Sequence, residues 1–180
     1  MNANVEYIIA KVISKLKREK NKETINSFFK SKGVHFEGHG NYWINSNIAI
    51  HEPHLIHIGS NTTIAGNVEF VTHDNSISKV LPEYTDLFGE IHIGKNCFIG
   101  ARSVILYGVS IADNVIVAAG SVVTKSITQS NIIVGGNPAK VIGSWDSFAS
   151  KSEKFAWDLN SISRKEVIEK QIKGNKLIKR

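Results

Sequence analysis

The chain has 180 residues, 42% of them hydrophobic, which suits one domain, or one domain with appendages, and supplies enough apolar surface for a sizeable core. No window approaches an unbroken apolar span, so a membrane-spanning helix is excluded. The net charge of +6 favours anionic partners such as nucleic acid, lipid headgroups or phosphate-bearing small molecules. A single cysteine precludes an internal disulfide and fits the reducing cytosol. Lys11, Lys15, Lys17 and Arg18 break the early apolar region, so no signal peptide is expected and the chain reads as cytoplasmic.

In chain order, Val5, Ile8, Ile9, Val12, Ile13 and Leu16 recur at helical spacing with lysines between them. A shorter helical pattern follows with Ile25, Phe28 and Phe29. Residues 1–32 are therefore expected to be a helical cap over the open end of whatever follows. The alternative is a basic helix in peripheral contact with a membrane surface. From Gly33 the pattern turns to β-type residues. Phe36, Tyr42 and Ile48 are six apart, Ile50 and Ile56 repeat in another phase across a bulge at 51–55, and Ile58, Ile64 and Phe70 restore the register.

The strict repeat runs from Ile93 to Ile127. Its first positions are Ile93, Ile99, Ile105, Ile111, Val117 and Val123. The second is mostly small (Gly94, Gly100, Ala112, Ala118, Thr124) and the fifth is Cys97, Ser103, Val109, Val115, Ser121 and Ile127. A period of six fits neither a helix nor an alternating strand, but it fits an all-β solenoid of very short strands. Each hexad then gives one aliphatic side chain to a continuous stack and a small residue where backbones approach. Phe70 to Ile93 is not a multiple of six, so residues 73–90 leave the solenoid as a loop, the place where function commonly sits. Gly135, Gly136 and Pro138 end regular pairing, closing a repeat domain over 33–143. Residues 144–180 read as a helical extension in which Trp145, Phe148, Phe155 and Trp157 are apolar anchors and Ser163 to Glu166 has capping-box spacing.

The hexads, the loop beginning at His73 and the closing VAAGSVVTKSI…GGNPAKVI resemble the hexapeptide-repeat acyltransferases over about residues 40–143. Within them the chain is most similar to the sugar O-acetyltransferase branch, with its maltose, galactoside, capsule and lipopolysaccharide enzymes. The resemblance implies a left-handed parallel β-helix, here with N- and C-terminal helical appendages. It also implies a homotrimer with active sites between subunits, acetyl-CoA as co-substrate and a saccharide acceptor.

A hydroxyl is a weak nucleophile while protonated, so acetyl transfer to it needs a base with a pKa near working pH, and imidazole suits. His73, where the strand register breaks into the loop, matches the family's catalytic histidine in a comparable VTHD context. Asp74 beside it reads as a turn former rather than a ring-orienting partner. For the coenzyme the resemblance assigns Ala101 and Ala119 to exposed backbone along which the pantetheine arm runs, and Thr124 and Lys125 to its far end. Lys140, in NPAK, matches a basic residue that meets the nucleotide phosphates, usually Arg; the next basic family position falls on Gly143. Phe98 stands where some members carry a tryptophan beside the acyl group, and Asn45 aligns with an acceptor-contacting asparagine. Oxyanion donors are backbone N–H groups near Ala101 or on a neighbouring subunit, and the residues do not choose between them.

Three other functions compete. A zinc lyase on the same fold needs three converging histidines, and Ile99-Gly100-Ala101-Arg102, where that family places ligands, contains none; His51, His54 and His57 are evenly spaced but diverge on short strands, so no metal is expected. A non-enzymatic trimeric scaffold would have no use for an intact loop and coenzyme motifs. Nucleic-acid binding needs a basic stripe with interleaved aromatics, and the lysines are dispersed or terminal. Acetylation of the amino group of a nucleotide-linked amino sugar is the alternative reaction.

Overall fold

The structure, a computed structural model, describes residues 8–9, 21–39, 42–43, 52–158 and 163–173. Two compact units are present, Met1–Ile142 and Gly143–Arg180.

The larger unit is a parallel β-helix whose strands fall into three sheets. The first face stacks His35–Phe36, Ile56–Ile58, Ile91–Ile93 and Ser110–Ile111. The second stacks Tyr42–Trp43, Thr63–Ile64, Phe98–Ile99, Val115–Val117, Ile132–Gly135 and Lys140–Ser144. The third stacks Glu69–Val71, Val104–Leu106 and Val122–Val123. Register follows the hexads: Ile58 pairs with Ile93 and Ile93 with Ile111, Ile64 with Ile99 and Ile99 with Val117, Phe70 with Ile105 and Ile105 with Val123. Three hexads thus make one coil.

The first and fifth positions both face inward. Ile91, Ile93, Cys97, Ile99, Ile105, Val109, Ile111, Val115, Val117 and Val123 are all buried in one cluster. Hydroxyls at the corners satisfy backbone groups that the turns leave open: Thr62 Oγ1 donates to Gly94 O at 2.8 Å and accepts from Cys97 N at 3.0 Å, and Ser103 Oγ donates to Ala118 O at 3.1 Å. The second position is small because coils touch there. A Cβ on Gly100 would lie 2.5 Å from Ala119 N and 2.6 Å from Val117 O.

The fourth position carries a rule that sequence reading did not pick up. Asn61, Asn67, Asn96, Arg102, Gly108, Asn114 and Gly120 all have positive φ, between 53° and 74°. This left-handed residue turns each corner, and Asn or Gly accepts it with least strain. At one corner the asparagines also form a ladder, Asn61 Nδ2 to Asn96 Oδ1 and Asn96 Nδ2 to Asn114 Oδ1, both 2.8 Å.

Upstream, Phe36 pairs with Ile58 as expected, but Trp43 rather than Tyr42 pairs with Ile64. The corner after Phe36, with Gly38 at φ 64°, therefore holds one residue more than the later ones. The 51–55 bulge contains a 3₁₀ turn, Pro53–Leu55. Helix α1 (Asn21–Ser31) places Phe29 in the core cluster beside Val34, with Phe28 edge-on at 5.4 Å. Of the expected first helix only Ile8 and Ile9 are described; they are helical and exposed, and the rest lies outside the described residues. The membrane contact expected of that helix rests on those same residues.

In the smaller unit, helix α2 (Trp145–Ser152) is capped by Ser144, and helix α3 (Arg164–Lys173) opens on a reciprocal capping box, Ser163 N to Glu166 Oε2 at 2.7 Å and Glu166 N to Ser163 Oγ at 3.2 Å. Among the described residues no helix is long and apolar enough to cross a membrane.

Candidate active site

The corner between the third and first faces is where the coil opens. After Glu69–Val71 the chain runs outward instead of turning. His73–Asp74 then pairs antiparallel with Leu87–Phe88, His73 opposite Phe88 and Asp74 opposite Leu87. Gly89 N donates to Thr72 O at 3.1 Å and brings the chain back. The return needs glycine, since a Cβ there would lie 2.5 Å from Gly108 N in the next coil. Asp74 is the expected turn former. Its Oδ1 accepts from Ser76 N at 2.8 Å at the start of the Asn75–Lys79 3₁₀ helix, and that bond holds the carboxyl below its ordinary range. Its Oδ2 accepts from the Tyr107 hydroxyl at 3.3 Å, tying the loop to the next coil.

His73 is anchored by a residue far off in sequence. Its Nδ1 lies 2.9 Å from Glu52 Oε2, and the Thr72 hydroxyl donates to the same oxygen at 2.7 Å. Glu52 immediately precedes the Pro53–Leu55 turn that leads into the first face. An ionised carboxylate only accepts hydrogen bonds, so Nδ1 is the nitrogen that donates to Glu52. The imidazole side chain is 39% exposed against 17% for Glu52, so the less exposed partner fixes a ring that solvent can still reach. Phe88 flanks it, with ring centroids 5.9 Å apart. An imidazole oriented in this way through Nδ1 can act as a base through its other nitrogen. Sequence reading missed Glu52 and Thr72. No motif spacing links positions 52 and 73, and only the coil brings them together.

The coenzyme candidates fall on other parts of the prism. Ala101 and Ala119 sit on successive coils at the corner between the second and third faces, where Gly120 N donates to Ala101 O at 2.9 Å. They form a ledge of small side chains, Ala119 fully on the surface. Thr124 and Lys125 are exposed just after Val123, at the same corner as His73. Lys140 is exposed at the start of the last strand of the second face. Phe98 points outward on that face, 44% exposed, with Thr63 and Ile116 as strand neighbours. Asn45 lies outside the described residues, as does His51. Within one chain, then, Glu52, Thr72, His73 and Tyr107 share a corner with Thr124 and Lys125, while the Ala101–Ala119 ledge occupies a different corner.

The other histidines part company. His54 is exposed in the Pro53–Leu55 turn, whereas His57 lies in the first face. There it stacks between His35 and His92, with centroids 4.6 and 4.3 Å apart and rings within 6° and 10° of parallel. Burial, then the neighbouring His92 and His35, lower the His57 pKa and favour the neutral ring.

Residues 90–125 match the family described as the hexapeptide repeat of succinyl-transferase. The chain is 44% identical over 103 residues to Protein CapG of Staphylococcus aureus, covering 56% of this chain and 59% of CapG. It is 36% identical over 103 residues to the galactoside O-acetyltransferase of Escherichia coli K12, covering 57% of this chain and 50% of that one. The chain thus spans little more than half the length of these relatives. Among solved structures, a maltose O-acetyltransferase from Clostridium difficile 630 superposes with TM-score 0.51 at 24% identity, over 79% of this chain and 87% of that one. The hexapeptide-repeat acetyltransferase VCA0836 of Vibrio cholerae superposes with TM-score 0.54 at 19% identity, over 79% and 92%. These two likenesses concern the fold.

Proposed function

We propose that the chain is a hexapeptide-repeat acetyltransferase, a reading its repeat and its relatives support, and that it transfers an acetyl group from acetyl-CoA to a hydroxyl of a saccharide, with His73 as general base. The observation that carries this reading is the Glu52–His73 pair at 2.9 Å, in which the imidazole side chain remains 39% exposed.

In the reaction Nε2 of His73 takes the acceptor's hydroxyl proton as the oxygen attacks the thioester carbonyl. Glu52 stabilises the imidazolium that forms and holds the ring in place. The proton then passes from Nε2 to the departing sulfur as the carbon–sulfur bond breaks, which returns the enzyme to its starting state. The Ala101–Ala119 ledge offers main-chain groups to the pantetheine arm, Phe98 an apolar surface beside the acyl group, and Thr124, Lys125 and Lys140 polar and cationic contacts to its nucleotide end. Asn45 contacts the acceptor.

Base and ledge stand at different corners of one prism, so one chain does not bring them face to face. A neighbouring prism laid alongside can place its ledge against this chain's His73, which supports a cyclic homotrimer of left-handed β-helices with sites between subunits. The loop's exposed Val80, Leu81, Tyr84, Leu87 and Phe88 give such a neighbour an apolar surface to cover. The likeness to a galactoside O-acetyltransferase favours a sugar acceptor, and the proposed reaction is assigned to cytoplasmic steps of cell-surface polysaccharide synthesis.

The test is release of free thiol from acetyl-CoA against a panel of saccharides and amino sugars. Turnover with hydroxyl acceptors is expected. Transfer to amines alone would replace this reading with N-acetylation, and no turnover with any acceptor would leave a scaffold.

A further inference from the structure

The first face carries a second cluster of chemistry, on a different face from the Ala101–Ala119 ledge. His57 and His92 are register partners on adjacent parallel strands, which sets their rings in a stack 4.3 Å apart with the same edges aligned. Glu90, at the return of the loop, puts Oε2 2.8 Å from His92 Nε2. One donor atom from each of His57, Glu90 and His92 lies within 4.8 Å of the others. An independent observation points to a missing partner: His57 Nε2 is buried and has no hydrogen-bond partner among the described residues. Beside it opens a cavity of about 190 Å³, bordered by Glu37, His57, His92, Lys95 and Asp113.

We propose that His57, Glu90 and His92 bind one divalent transition-metal cation, with zinc the best chemical match. Two imidazoles and one carboxylate are a donor set that zinc takes readily, and the fourth tetrahedral position falls to water, for which the cavity has room. The distances are close to what is needed. No two donor atoms are more than 4.8 Å apart, so a point within about 2.8 Å of all three exists, and no donor has to close by more than roughly 0.7 Å to reach a zinc bond of about 2.0–2.2 Å. Small rotations of the side chains supply that. Coordination uses the lone pair of His92 Nε2, so the ring takes the other tautomer, the proton moving from Nε2 to Nδ1 by exchange with solvent. Glu37 and Asp113 add negative potential around the cation and Lys95 opposes it. The bound ion would clamp strand Ile56–Ile58 to the end of the 73–90 loop. Sequence reading looked for a metal among His51, His54 and His57; the ladder instead pairs His57 with a histidine 35 positions on.

The experiment uses tag-free, chelator-stripped full chain in equilibrium dialysis against zinc chloride, with bound metal counted by mass spectrometry and thermal unfolding followed in parallel. One zinc per chain and a higher Tm are expected. His57→Ala and His92→Ala should each weaken affinity by about tenfold or more, while His54→Ala and His73→Ala should keep it. Glu90→Gln, at an exposed position that does not pack the core, guards against misfolding of the histidine variants and should also weaken binding. No stoichiometric zinc at about tenfold molar excess, or binding unchanged in all three ligand variants, overturns the site.

Discussion

His73 shows how far single residues can be read. The break in hexad register marks it, and the structure gives it a half-buried carboxylate partner that no local pattern announces. Glu52 stands before a proline turn, in a stretch whose sequence reads only as a bulge, and its role depends on coil geometry. His73→Ala should lower kcat by about a hundredfold or more while coenzyme binding persists. Glu52→Gln keeps the shape but loses the charge that fixes the tautomer, so kcat should fall by roughly tenfold or more with the coenzyme KM little changed. Steady-state thiol release reads both. A Glu52→Gln enzyme with wild-type kcat would mean that the pair is structural. Lys140→Ala should act the other way, raising the coenzyme KM more than it lowers kcat; the reverse would place Lys140 in the chemistry.

At the scale of the hexad, the sequence revealed the first-position side chains that face inward and where the strict coils run, but not that the fifth position is buried as well. It did not reveal the Tyr42 shift, since one extra corner residue leaves no hydrophobic trace. The left-handed fourth position was legible in principle, as recurring Asn and Gly with one Arg102, but it carries no apolar signal and was passed over. Two consequences can be measured. Gly100→Ala forces a Cβ to within 2.5 Å of Ala119 N, so coils must separate; a loss of about 1–3 kcal/mol in denaturant unfolding is expected, and unchanged stability would mean that the stack is loose. Burial pushes the Cys97 thiol up to about 11, and Sγ sits 3.2 Å from Ala112 O inside the core. Folded protein at pH 8 should therefore resist thiol reagents and react once denatured. The raised value favours the neutral thiol in the fold, so this contribution is full below the ordinary thiol range and is lost as pH climbs toward 11.

For the molecule as a whole, a solenoid of short strands was legible because a period of six encodes it, and the closing VAAGSVVTKSI…GGNPAKVI carried the family resemblance. The separation of base and ledge onto different corners was not, since it depends on how three hexads close a coil. That separation is the ground for the proposed intersubunit site, the centre of the account, in which His73 of one prism would act on a coenzyme lying along Ala101 and Ala119 of the next. Co-assembly of two inactive variants, His73→Ala and Ala119→Arg, tests it most directly. In random mixed trimers about one junction in four joins an intact base to an intact ledge from different chains, so thiol release should recover to about a quarter of the wild-type rate. A mixture as inactive as its two parents would contradict the account.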